Sequence, residues 1–211
     1  LAEALVEAGA RCVVLASRSG KIKYYGQGLE QRLEALQAMG VTIVLERCDT
    51  SVEADVEALL ARVRESHGPL RVIVHAAGVL ADAMIQAQDA ESVQRVWAPK
   101  ADGAWYLHKH TVDNGKELGA FIMYSSVASL FGNAGQANYS SANAYMDELA
   151  RWRTVQGLPG MCVQWPAVSG VGMAAAMDER VSFDDKMSVG VHTVKQVVHQ
   201  MMGMDSASSG A

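Results

Sequence analysis

Between residues 125 and 143 the chain gathers hydroxyls, a phenol and an amide: Ser125-Ser126, a glycine-containing stretch, then Asn138-Tyr139-Ser140-Ser141-Ala142-Asn143. On a helix Tyr139 and Asn143, four residues apart, lie about 40° apart on one face. A phenol can hand its proton to a developing alkoxide, and Ser126 can hold a carbonyl oxygen in the same place. An exposed Tyr is a poor acid at neutral pH because its pKa is about 10. A nearby ammonium lowers that value by favouring the phenolate. Each residue also has a duller use as a hydroxyl cap, a core aromatic or a surface group, and only the combination points to acid chemistry. Asn138-Tyr139-Ser140 is formally a glycosylation sequon, which is set aside because these residues have a better use.

Three other segments hold candidate ligand-binding residues. Ser17-Arg18-Ser19-Gly20 follows a short apolar run and contains no carboxylate. Where dinucleotide folds hold the ribose of NAD with an acid, an Arg accepts the 2′-phosphate of NADP, and a guanidinium grips phosphate bidentately. A solvated turn arginine is the plain alternative. Asp49, after Arg47-Cys48, could accept from an adenine amino group, or Asp49, Thr50 or Ser51 could cap the next helix. Ala76-Ala77-Gly78 is small enough for backbone to approach a flat ligand, or merely for tight strand-to-helix packing.

All these residues sit just after predicted strands. Strands are expected at Cys12–Ala16, Val41–Glu46, Arg71–His75, Ala120–Tyr124 and Met161–Trp165. Between them helices are expected at Leu29–Met39, Val52–Ser66, around Ser92–His110, and at Tyr139–Gln156. Short strands alternating with helices of ten or more residues predict βαβ units and a parallel sheet. Nearly continuous apolar strands predict cover on both faces. The expected fold class is therefore α/β, a Rossmann-like doubly wound parallel sheet, whose ligands bind beyond the carboxyl ends of the strands. Residues 1–203 are read as one domain, and Met204–Ala211 as a linker-like tail. Leu1–Ala8 reads as a helix stopped by Gly9, with no capping residue before it, so the natural chain is expected to continue upstream.

Composition narrows the classes of function. Eighteen Lys and Arg against twenty-three Asp and Glu give a net charge of −5, with no basic cluster, which disfavours nucleic-acid binding. No apolar run approaches the ~20 residues needed to span a bilayer. Cys12, Cys48 and Cys162 sit in or beside apolar runs and read as reduced thiols of an intracellular, cytoplasmic protein. No spacing of His and Cys suggests a metal site.

The stretches Phe121–Tyr145, Leu15-Ala-Ser-Arg-Ser-Gly20 and His75-Ala-Ala-Gly-Val-Leu80 resemble the short-chain dehydrogenase/reductase superfamily, and within it the ketoreductase domains of modular polyketide and fatty acid synthases. The resemblance runs from Leu1 to about Met173, and Ser126 precedes Tyr139 by the superfamily spacing. Most superfamily members place Lys four residues after the Tyr, where this chain has Asn143; the synthase ketoreductases exchange the two, and Lys100 occupies the other place. The resemblance implies an NADPH-dependent reduction of a β-ketoacyl thioester carried on the phosphopantetheine of an acyl carrier protein, with neighbouring synthase modules as partners. It assigns Ser126 and Tyr139 to the carbonyl oxygen, Lys100 to lowering the Tyr139 pKa and holding the nicotinamide ribose, and Asn143 to a proton relay.

By the same resemblance Ser17, Arg18, Ser19, Asp49, Ala76, Ala77, Gly78, Pro166 and Val168 contact the cofactor. Asp82, Phe131 and Asn138 bear on stereochemistry and favour a D-configured, B-type hydroxyl, although Ala81 and Ala134 depart from the pattern. Family members carry a strand and a Thr-Gly-x-x-x-Gly-x-Gly turn just before the helix at Leu1. Both are missing from this sequence, so the fragment alone is expected to bind NADPH poorly. A two-residue insertion near Asp113–Lys116 and an altered lid at Ala174–Asp185 are further expected departures. Alternatives are a free-standing reductase of a small ketone and a non-catalytic domain of a synthase.

Overall fold

The structure, a computed structural model, describes residues 1–22, 28–112, 118–169 and 188–202. The insertion near 113–116, the lid at 174–185 and the tail at 204–211 lie outside the described residues. The chain forms two compact units, residues 1–47 with 167–211, and residues 48–166.

In the first unit, helix α1 (Ala2–Glu7) leads into strand β1 (Cys12–Ser17), helix α2 (Leu29–Ala38) and strand β2 (Thr42–Arg47). β1 and β2 pair in parallel from Cys12↔Thr42 to Ser17↔Arg47. After α2, Gly40 takes the left-handed conformation (φ +82°) that ends the helix without a Cβ penalty. The expected cover on both faces fails for β2. Leu45 is exposed, because β2 is the edge of a sheet that pairs, among the described residues, with β1 alone.

The second unit opens with helix α3 (Glu53–His67), which buries Val56, Leu59, Leu60 and Val63 at helical spacing. Its N-cap is Val52, so none of Asp49, Thr50 and Ser51 caps it; Asp49 Oδ1 instead accepts from Ser51 N and Oγ in a tight turn. Strand β3 (Val72–His75) follows, then helix α4 (Ala90–Trp97), a π-helical turn (Ala98–Asp102) and helix α5 (Gly103–Lys109). Asp89 and Ser92 close a capping box at the start of α4. Strand β4 (Ala120–Ser126), helix α6 (Ala128–Phe131), helix α7 (Ala137–Val155) and strand β5 (Met161–Trp165) complete the unit. The sheet order is β3-β4-β5, all parallel. Phe121, Ile122 and Met123 make β4 the buried centre, as a doubly covered parallel strand should be. The first unit also holds the short parallel pair β6 (Ala167–Val168) and β7 (Ser188–Val189), and helix α8 (Val191–Met201), tied to α1 by Glu7 with Lys195 and His199.

Two buried histidines set a limit on acid stability. Arg153 Nη1 donates to His108 Nδ1 at 2.7 Å, which requires an unprotonated nitrogen there. Burial, with the Arg153 charge, lowers the His108 pKa, and burial lowers that of His75 to about 4. Both values fall below the unfolded range near 6.5, so the unfolded chain binds more protons and stability drops as pH falls below 6.5. His75 alone is expected to remove about 2 kcal/mol between pH 7 and pH 5. Urea unfolding of the native chain at the two pH values measures this, and an unchanged midpoint would refute it.

Candidate active site

The first turns of α7 present Tyr139 and Asn143 on one face, and Asn143 is completely buried. Asn143 Nδ2 donates to the Tyr139 carbonyl at 2.8 Å, which orients the amide and leaves Oδ1 as an acceptor. Lys100 supplies the donor: its Nζ lies 3.0 Å from Asn143 Oδ1 and 3.1 Å from the Tyr124 carbonyl. The same nitrogen stands 5.1 Å from the centre of the Tyr139 ring. Ser126 ends β4, the strand beside which α7 packs, and with the Asn143 side chain it favours the charged form of the Tyr139 phenol. Lys100, Ser126 and Asn143, from three elements, thus meet around one phenol.

Lys100 comes from the π-helical turn between α4 and α5. There the Gly103 N–H reaches back five residues to the Ala98 carbonyl. Such wide turns add a residue to a helix and re-aim a side chain. Gly78 makes room for the lysine stem, since a Cβ there would stand 2.9 Å from Lys100 Cε. Burial lowers the Lys100 pKa to about 8, with Asp147 and Cys162 opposing the loss of charge.

Burial raises the Tyr139 pKa, while Asn143 and Ser126 pull it down and the Asp82 charge pushes it up. Burial thus opposes the acidifying influence on the phenol that the sequence suggests. Desolvation outweighs the neighbours, and Tyr139 is a neutral phenol at physiological pH. What the ammonium can do is meet the phenolate once the proton has gone.

A second cluster joins the loop around Asp82 to the approach to α7. Gln136 Nε2 donates to Asp82 Oδ2 at 2.9 Å and its Oε1 accepts from Asn133 at 3.0 Å. Ala83 N donates to the Gly135 carbonyl at 2.9 Å. Asn138 Nδ2 donates to the Ala81 and Ser92 carbonyls, and its Oδ1 accepts from Tyr139 N. Asp82 and Asn138 are brought together in this way, whereas Phe131, at the end of α6, is 82% exposed.

Of the predicted cofactor residues, Asp49, Ala76, Ala77, Gly78 and Pro166 lie in the unit of residues 48–166, and Ser17, Arg18, Ser19 and Val168 in the other. Ser17 and Ser19 hydroxyls turn to the Lys21 carbonyl. Arg18 is exposed, and among the described residues no hydrogen bond or ion pair engages it. Sequence reasoning passed over Gln136, His75 and Asp147. Asp147 is one more helical turn beyond Asn143, where Ser129 and Gln164 hydrogen-bond its Oδ2 at 2.6 and 2.9 Å. Its signal was an acid continuing the spacing of Tyr139 and Asn143; that of His75 was a polar residue closing an apolar strand.

A family model described as the KR domain matches residues 1–170. The spectinabilin polyketide synthase system protein NorB of Streptomyces orinoci is 41% identical over 181 residues, which cover 84% of this chain and 8% of that protein. Polyketide synthase GfsB of Streptomyces halstedii is 42% identical over 161 residues, 76% of this chain and 3% of that one. Among solved structures, PlmKR1, the ketoreductase from the first module of phoslactomycin biosynthesis in Streptomyces sp. HK803, is 30% identical. It superposes with a TM-score of 0.80 over 95% of this chain and 45% of its own. A structure of A-type ketoreductases from a modular polyketide synthase gives 0.80 at 30% identity, over 95% and 42%. The fold is thus the Rossmann-like one of these ketoreductases, and the chain spans less than a tenth of the length of the curated relatives.

Proposed function

The chain belongs to the KR domain family of modular polyketide synthases, and from that premise we propose that it reduces a β-ketoacyl thioester to the β-hydroxyacyl thioester, with NADPH as reductant. The observation that best supports this reading is the Lys100 ammonium, hydrogen-bonded to Asn143 and standing 5.1 Å over the Tyr139 ring. Bound NADPH supplies the hydride to the β-carbon. Tyr139 and Ser126 hydrogen-bond the ketone oxygen, and Tyr139 donates its proton as negative charge gathers there. The phenolate left behind is met by Lys100, an attraction that hardly exists while the phenol is neutral. Binding energy confined to the late stage of the reaction speeds it. Asn143, fixed by Lys100 and by the Tyr139 carbonyl, lies on the path by which a proton can return to the phenolate.

The residues present fit the cofactor. An ammonium has three N–H groups, and Asn143 and Tyr124 take two from Lys100, leaving one for a ribose hydroxyl. Arg18, unengaged among the described residues and with no carboxylate beside it in the turn, suits a 2′-phosphate. The Ala76-Ala77-Gly78 turn after β3 and Asp49 after β2 have the character of flat-ligand and adenine contacts. Pro166 and Val168 are assigned to the nicotinamide side. Asp82 and Asn138 favour a D-configured product. The substrate is expected on the phosphopantetheine of an acyl carrier protein within a larger synthase, in keeping with the length of the relatives.

The native full-length chain, given NADPH and a β-ketoacyl thioester of a short pantetheine mimic, is expected to consume the reduced nicotinamide only when thioester is present. Arg18→Ala should raise the KM for NADPH about tenfold, the cost of one charge-assisted contact, and leave that for NADH unchanged. No thioester-dependent oxidation would refute the reaction; an unchanged KM would refute the role of Arg18.

A further inference from the structure

The π-helical turn that carries Lys100 needs outside support, because widening a helix weakens its own hydrogen bonding. Its carbonyls turn to residues of other elements. His75, the last residue of β3, is buried, and its Nε2 lies 2.9 Å from the Lys100 carbonyl oxygen. A carbonyl only accepts, so Nε2 carries the proton. Beside it Thr50 Oγ1 donates to the Pro99 carbonyl at 3.2 Å. Gly103 closes the assembly. A Cβ at that position would lie 3.0 Å from the Thr50 Cβ and carbonyl oxygen and 3.2 Å from His75 Cε1. The glycine therefore lets both donors press against the turn.

We propose that His75, acting through the Lys100 carbonyl with Thr50 as its companion, is a positioning residue that holds the wide turn so that the Lys100 ammonium stands beside Tyr139 and Asn143. The role rests on the reduction proposed above, but the geometry it controls can be read without it. The groups that bear on the ammonium are Tyr139, Asn143 and Asp147 of α7, the Tyr124 carbonyl of β4, and Cys162 of β5. His75 itself is neutral at physiological pH, since burial depresses its pKa to about 4, so it acts as a fixed hydrogen-bond donor.

The test uses the full-length chain and two readouts. The first is the pH dependence of acetylation of Lys100 by trace acetic anhydride, followed by mass spectrometry of its peptide. The second is kcat for thioester reduction. In the wild type the amine should titrate near 8, and in His75→Leu, which keeps bulk and loses the donor, the midpoint should move towards the ordinary lysine value of about 10.4. kcat should fall about 100-fold, the cost of a misplacement of about 1 Å. His75→Gln returns an N–H at similar reach and should restore the midpoint and most of the rate. Thr50→Val should move the midpoint in the same direction by less, and it carries the test if His75→Leu does not fold. An unmoved midpoint in folded His75→Leu, or in Thr50→Val where that variant stands in, overturns the proposal whatever the activity. A moved midpoint in a chain whose wild type reduces no thioester leaves the positioning in place and overturns the reduction.

Discussion

Tyr139→Phe is expected to lower kcat for thioester reduction about 10³- to 10⁴-fold while KM for NADPH stays near the wild-type value. The substitution removes one oxygen and with it two contributions. General acid catalysis by a positioned group is worth 10² to 10⁴, and a donor aimed at a developing oxyanion adds to it. Ser126 remains to hold the ketone oxygen, so the loss should stop short of complete. The fold should survive. The bonds from Lys100 to Asn143 and to the Tyr124 carbonyl do not pass through the phenol oxygen, and losing one hydrogen bond costs about 1 kcal/mol. Asn143 is still held by Lys100 and by the Tyr139 backbone carbonyl, which the variant keeps. Steady-state kinetics with a thermal melt of the same preparation decide the matter. A variant keeping a tenth of wild-type kcat would exclude Tyr139 as the acid.

Lys100→Met should cost about 10²- to 10³-fold in kcat, on the scale of losing one preorganised charge beside the reacting atoms, and should also change the shape of the pH profile. The ammonium is the active form and its pKa is lowered to about 8 by burial. In the wild type the rate should therefore hold from neutral pH to about 8 and then fall tenfold for each further unit, as Lys100 loses its proton. Methionine has no proton to lose, so the variant should show no break near pH 8. Stability should move little in the harmful direction. A charge removed from the interior relieves desolvation, while the Tyr124 carbonyl and Asn143 Oδ1 each lose a donor. A wild-type profile flat to pH 9.5 would detach the rate from Lys100.

Much of the candidate site was legible because spacing on one helix is a local property. Tyr139 and Asn143 could be set on one face by counting, and the strands β3 to β5 by their apolar runs, with β5 exact, β3 starting one residue later and β4 running two residues further than expected. The π-helical turn was not legible. A single helix was expected around Ser92–His110, and one residue's excess within it changes only where Lys100 points. The support from His75 and Thr50 is equally non-local, for it depends on which carbonyls the turn offers to residues 25 or more positions away. The burial that raises the Tyr139 pKa was not legible for a different reason. Nearby charges can be guessed from residue types, but the loss of solvent that opposes them follows from packing. The division into two units, and the exposure of β2, likewise depend on what packs against what.

The loop bearing Asp82 and the start of α7 are fastened at three points: Gln136 to Asp82, Ala83 to Gly135, and Asn138 to the Ala81 carbonyl. Asn138 in turn receives the backbone N–H of Tyr139. Grafting either segment alone from a relative would therefore break bonds whose other halves stay behind. The two segments are therefore one mechanical block, and an exchange with a relative should carry residues 81–89 and 133–139 as a pair.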